Sequence, residues 1–150
     1  MEIVKKLLII LAFGASLMAN DIVIKKSNCS VDKTVTNLKH ILRKKGLSIF
    51  ATINHRGNAK MVDMKLPASK MVIFGNPRMG TALMQQDMTV GLDLPLRVLV
   101  YKDVDGLVKM AYRDGTWLKS KHVFNAPKKV AKVNKALDKI TNKAGQCSRD

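Results

Sequence analysis

Three histidines, two cysteines and nine methionines are the residues of this 150-residue chain whose side chains could do chemistry beyond packing. Imidazole is both the near-neutral acid and base and the common metal ligand. His55 ends an alternating apolar segment and His122 ends a segment carrying Trp117, so the two could converge at one rim of the fold or across a dimer. With Met84, or with Met61, Met64, Met79 or Met88, they would suit copper or a pair of haem axial positions. The methionines show no Met-x-x-Met repetition, however, and methionine is also a routine filler of irregular core space. A hydrogen-bonded structural role is therefore expected for His55 and for His122. Metal or haem binding through His55, His122 and Met84 is the alternative. His40 lies opposite the Leu38, Ile41 and Leu42 stripe and is expected at the surface.

Familiar catalytic signatures are missing. There is no serine nucleophile elbow, no phosphate-binding glycine loop and no His-Glu-x-x-His zinc motif. Acidic residues are scarce, and nothing in the spacing of Asp63, Asp87, Asp93 and Asp103 predicts a working carboxylate pair. No catalytic set emerges, and an enzyme of unassigned class stands only as a second alternative. A ligand site is easier to place. Gly75-Asn76-Pro77 ends a strand with a flexible residue, a turn-former and a rigid one, which shapes either a tight structural corner or the rim of a cleft. A cleft between helix and sheet would take a small apolar or lipid-like ligand, with Lys60, Arg78 or Arg97 available for an anionic group. The candidate ligand residues are thus His55, His122, Gly75, Asn76 and Pro77, and no cofactor is named by the sequence.

The elements that must position these residues begin after residue 19. Lys5 and Lys6 precede an apolar run from Leu7 to Phe13 and the small residues Gly14, Ala15 and Ser16, the pattern of a secretory signal peptide over residues 1–19. The expected mature chain carries 25 basic and 10 acidic side chains. Such a charge favours anionic partners. For an exported, periplasmic protein those are acidic proteins, phospholipid surfaces or small anions, and no nucleic acid is expected. Cys29 and Cys147 both survive cleavage, and an even pair in an oxidising compartment suggests a disulfide. Two unpaired thiols near the chain ends are the alternative.

Ile22 to Ile24 favours a first strand, and Ser30 stands at an N-cap position before Val31, Val35, Leu38 and Leu42, so a helix is expected to Lys45 with Gly46 as its stop. Leu47, Ile49, Ala51 and Ile53 alternate with polar or exposed positions, the period of a half-buried strand running into His55. Val72 to Phe74 is a third strand, and Met79 to Met88 is read as one short helix. Leu96 to Lys102 and Leu107 to Arg113 form a hairpin around Asp105-Gly106. A helical turn over Thr116 to His122 precedes Pro127, which opens a basic amphipathic helix striped by Val130, Val133, Leu137 and Ile140. Its six lysines make it a candidate for docking on acidic head groups, although its narrow stripe more simply packs on the domain.

Gly46, His55, Ala59, Leu66-Pro67, Ile73-Phe74-Gly75-Asn76-Pro77, Gly80-Thr81, Leu83-Met84, Asp93-Leu94-Pro95-Leu96, Asp105-Gly106 and Tyr112 occur in an order that resembles the bacterial domain-of-unknown-function family numbered 302. The resemblance covers Ile22 to His122. It implies a single α+β domain, a mainly antiparallel sheet with helices packed on one face, that forms homodimers; it assigns no activity. The domain is expected over residues 20–125, with the basic helix, residues 126–150, outside the pattern. The expected function is a ligand-binding or accessory protein of the periplasm or envelope.

Overall fold

The computed structural model describes residues 21–147. The expected signal peptide therefore lies outside the described residues. Five strands form one antiparallel sheet: β1 (Val23–Ser27), β2 (Ser48–Asn54), β3 (Ser69–Gly75), β4 (Leu96–Lys102) and β5 (Val108–Tyr112), in the order β1-β5-β4-β3-β2. Between β1 and β2, which are opposite edges of the sheet, helix α1 (Val31–Lys44) crosses one face. The Ser30 side chain accepts the Lys33 N–H at 3.2 Å, Asp32 and Arg43-Lys44 complement the helix dipole, and Gly46 turns the chain at φ +70°. Val31, Val35, Leu38, Ile41 and Leu42 are buried on one side of α1, as the 3.6-residue stripe requires.

Helix α2 (His55–Met61) follows β2 directly, and α3 (Pro77–Met84) follows β3. The segment read as one helix to Met88 divides, because the Asp87 side chain accepts the Thr89 N–H at 2.9 Å and caps a separate 3-10 turn over Met88–Leu92. The hairpin between β4 and β5 turns at Gly106, φ +79°, and Lys109 clamps it by pairing with Asp103 and Asp105 at 2.6 and 2.8 Å. Those two carboxylates hold the Lys109 ammonium well above its ordinary range. Helices α4 (Gly115–Lys121) and α5 (Pro127–Ala144) complete the fold.

The register sorts the sheet into two faces, since directly paired residues share a face. Val72, Val98 and Tyr112 form one cross-strand row, and Phe74, Val100 and Met110 are buried on the same side against α1 and α5. Leu137, Ile140 and Ala144 of α5 are 0–1% exposed in this core. The basic helix is thus part of the domain rather than a segment appended at residue 126. Each fully buried leucine or isoleucine contributes on the order of 1.5–3 kcal/mol, so the core carries α5 whatever its lysines do.

Strand β2 departs from simple alternation. Ile49 pairs with Phe74 on the helix face, but Ala51 pairs with Ile73 and Ile53 with Met71 on the other face, because a bulge falls at Phe50. The alternation of Leu47, Ile49, Ala51 and Ile53 therefore serves two faces. Phe50 itself is half-exposed.

The expected disulfide is formed between Cys29 and Cys147, with Cα atoms 5.3 Å apart. It pins the end of α5 to the turn before α1. There the Asn28 N–H donates to the Gly145 carbonyl at 2.8 Å and the Asn37 amide to the Ala144 carbonyl at 3.2 Å.

Candidate functional site

At the end of the sheet where β3 finishes, the chain makes its corner through Gly75-Asn76-Pro77. The Asn76 side chain accepts the Met79 N–H at 3.1 Å and Pro77 takes the first helical position, so the corner and the start of α3 are one construction. Behind it lies a cavity of about 220 Å³. Gly75, Asn76 and Pro77 form one wall, and Gly80, Thr81, Leu83 and Met84 of α3 form the next. Leu94, Pro95 and Leu96 lead into β4 along the floor, and Phe50 at the bulge closes one side. Leu118 of α4, Phe124, and Lys129, Val130 and Val133 of α5 complete the lining. The walls are almost wholly apolar, which is the character of small-molecule sites.

Close packing keeps α4 and α5 in place around this cavity. A Cβ at Gly115 would lie 3.2 Å from the Val130 carbonyl oxygen, so only glycine allows that approach. The Gly115 N–H donates to the Asn134 side chain at 2.8 Å, and Asn134 in turn donates to the Thr116 hydroxyl at 2.7 Å. Asp114 caps α4 by accepting the Trp117 N–H at 2.9 Å, and Arg113 stacks on the Trp117 ring.

His122 does not enter the cavity. Its Nε2 lies 2.7 Å from Asp93 Oδ2, and its Nδ1 lies 3.1 Å from the Thr89 hydroxyl and 3.7 Å from Asp87. Carboxylate, imidazole and hydroxyl in that order invite comparison with a nucleophile relay. The Thr89 hydroxyl has one hydrogen, however, and the 2.6 Å contact to Asp87 claims it. Neither Thr89 nor His122 lines the cavity, and both imidazole nitrogens are occupied. The cluster is a brace. Asp87 also accepts the Val123 N–H, and Gln86 accepts the Asn125 N–H, both at 2.9 Å, which ties the end of α3 to the segment leading into Phe124. The Thr89 hydroxyl and the Val123 N–H hold the Asp87 carboxyl below its ordinary value.

The remaining sequence candidates are dispersed. His55 opens α2 at the other end of β3, where Asn54 pairs with Lys70. Five residues of strand, roughly 17 Å, separate that end from Gly75, so His55 and His122 do not meet within one chain. Met84 lines the cavity, with its sulfur packed on Gly91. Among the described residues no group of three or more histidine, cysteine, aspartate or glutamate side chains is placed to hold a metal ion. Of the proposed anion partners, Lys60 stands with Asn54 and Lys70 at the far end, Arg78 is exposed outside the lining, and Arg97 donates to the Leu92 carbonyl. The cation that does line the cavity, Lys129, is hidden in sequence among six lysines.

A five-stranded antiparallel sheet with two long helices on one face and an apolar cavity at one end defines a single-domain α+β protein. The chain belongs to the DUF302 family, described as a domain of unknown function, whose model matches residues 23–144. That match runs past His122, where the sequence resemblance ended, and takes in α5. The crystal structure of an uncharacterized conserved DUF302 protein from Bacillus stearothermophilus shares the fold, with a TM-score of 0.67 at 16% identity, covering 85% of this chain and 97% of that one. The chain is also 35% identical over 117 residues to the fluoride-specific ion channel FluC 1 of Brucella suis biovar 1 (strain 1330), a span of 78% of this chain and 46% of that protein. FluC 1 of Brucella abortus biovar 1 (strain 9-941) matches equally, over 43% of its length. The chain thus spans less than half the length of these curated relatives.

Proposed function

We propose that this protein is an exported, envelope-associated binding protein that holds a small apolar molecule in the cavity behind Gly75-Asn76-Pro77. The observation that carries the proposal is the cavity itself: about 220 Å³ of space walled by side chains from the β3-α3 corner, α4 and α5. An engineered apolar cavity of about 150 Å³ holds benzene, so this one has room for a substituted ring or a short acyl chain. The basic, apolar leader and the Cys29–Cys147 bridge support an oxidising compartment outside the cytoplasm. The Brucella relatives support a place beside the membrane. The match takes in 78% of this chain, and among the described residues of this chain no helix is long and apolar enough to cross a bilayer. We therefore read the domain as an accessory module and not as the conducting part. Native mass spectrometry of protein taken from its own envelope fraction tests the reading: an extra mass that a cavity-filling substitution removes is expected, and a clean apo mass that stays unchanged on adding octanol would overturn it.

The face of the sheet opposite α1 and α5 supports a second copy as partner. Ile24, Ala111, Leu99 and Met71 form a cross-strand apolar row there, extended by Ile53 across the bulge, and none of them belongs to either core cluster. An apolar sheet face of this kind is ordinarily covered. Sedimentation of the wild type and of Leu99→Glu should separate a dimer from a monomer; a wild type that sediments as a monomer would remove this partner.

A further inference from the structure

The cavity wall carries one charge. Lys129 sits in the first turn of α5, is half-buried, and among the described residues makes no ion pair, whereas Lys128, Lys132, Lys135, Lys139 and Lys143 of the same helix are exposed. The other polar side chains of the lining are limited: Asn76 is committed to capping α3, and Thr81 offers a hydroxyl at the edge. A half-buried lysine in an otherwise apolar lining, with no protein carboxylate paired to it, favours an anion beside it. The turn has the same sign from its backbone, because α5 opens at Ala126 with no side-chain cap and its dipole is positive there.

Resting on the binding function proposed above, we infer that the cavity selects a monocarboxylate with an apolar body, a short fatty acid or an arylalkanoate, whose tail lies against Leu83, Leu118 and Phe124 and whose carboxylate pairs with Lys129. Lys129 is the one cation of the lining, Lys119 standing outside it with its Nζ 5.3 Å from the Phe124 ring centroid, so a single negative charge is matched within the cavity. A dianionic phosphate would leave a charge unmatched next to Leu94 and Pro95 in a low-dielectric wall. A cationic amphiphile of the same length would be repelled, so the site discriminates by charge as well as by size.

Isothermal titration of the purified protein with octanoate, octanol and octylamine reads this directly. Octanoate is expected to bind roughly tenfold more tightly than octanol, the size of one charge-assisted hydrogen bond, and octylamine more weakly than either. Lys129→Met should bring octanoate down to the affinity of octanol, while Lys128→Met, which removes an equal charge from the exposed side of the same turn, should leave octanoate unchanged. Equal binding of octanoate and octanol by the wild type would overturn the carboxylate assignment and leave the apolar cavity standing. Equal losses from Lys128→Met and Lys129→Met would assign the preference to the general positive field and overturn the role of Lys129. Binding of none of the three would overturn the cavity reading as well.

Discussion

The Nε2 of His122 lies 2.7 Å from the Oδ2 of Asp93, and this contact holds the segment after α4 against the segment that becomes the cavity floor at Leu94. His122 has a side chain only 7% exposed, with both nitrogens engaged. Removing it leaves Asp93 and Thr89 short of a partner. His122→Ala is therefore expected to cost about 1–3 kcal/mol of stability, read as a lower urea midpoint, while His55→Ala stays within about 0.5 kcal/mol of wild type. Equal losses from the two would contradict the brace.

Acid should act on the same cluster. The Asp87 carboxyl is held below its ordinary 3.8, first by the Thr89 hydroxyl and next by the Val123 N–H. A depressed folded-state value gives stability that is complete above the unfolded value and is lost as pH falls through the folded one. Asp87→Asn should accordingly flatten the stability curve below 3.8. A steeper acid limb in the variant would reverse the sign.

The Cys29–Cys147 bridge closes a separation of 118 residues and fastens the end of the helix whose first turns wall the cavity. The paired substitution Cys29→Ser with Cys147→Ser is expected to lose about 2–5 kcal/mol, chiefly through a less restricted unfolded chain. Reductant should lower the thermal midpoint of the wild type and not of the variant. A wild type indifferent to reductant would argue against a structural role for the bridge.

Gly80 gives a direct way to fill the cavity. Gly80 lines the cavity, and a Cβ there would meet Leu94 Cδ1 at 3.7 Å, an ordinary contact, so the first carbon of a larger side chain is accommodated. Gly80→Phe should abolish binding of octanoate and octanol while changing the urea midpoint little, because glycine in a helix is itself unfavourable by about 1 kcal/mol. Retained binding in a folded Gly80→Phe protein would place the ligand elsewhere.

Much of the architecture could be read from local pattern. The Ser30 cap, the stripe of α1, Gly46 and the Asp105-Gly106 turn each act through near neighbours, and each does what its residue type dictates. Two features resisted this reading for a physical reason. The bulge at Phe50 reverses the faces of β2 without breaking its alternation, because a period of two looks the same on either side of a one-residue slip. The end of α3 is set by Asp87, whose capping of Thr89 is local but whose other partners, Val123 and His122, lie more than thirty residues away.

The cavity was legible only in part. Gly75-Asn76-Pro77 marked one wall because turn chemistry is concentrated there. Leu118, Phe124, Val130 and Val133 gave no signal beyond that of core residues, since their convergence depends on how α4 and α5 pack at Gly115. Lys129 differs from Lys128 by which side of one helical turn it occupies, a distinction that exists only once the helix is docked.

The central claim is that the space between α3, α4 and α5 is a binding site, and methyl-detected NMR during titration with octanoate tests it most directly. Saturable shifts concentrated on the methyls of Leu83, Leu94, Leu118 and Val130, with those of Leu38 and Leu42 unmoved, are the result expected. Unmoved cavity methyls at saturating octanoate, or shifts confined to Ile24 and Leu99 on the sheet face opposite α1 and α5, would contradict it.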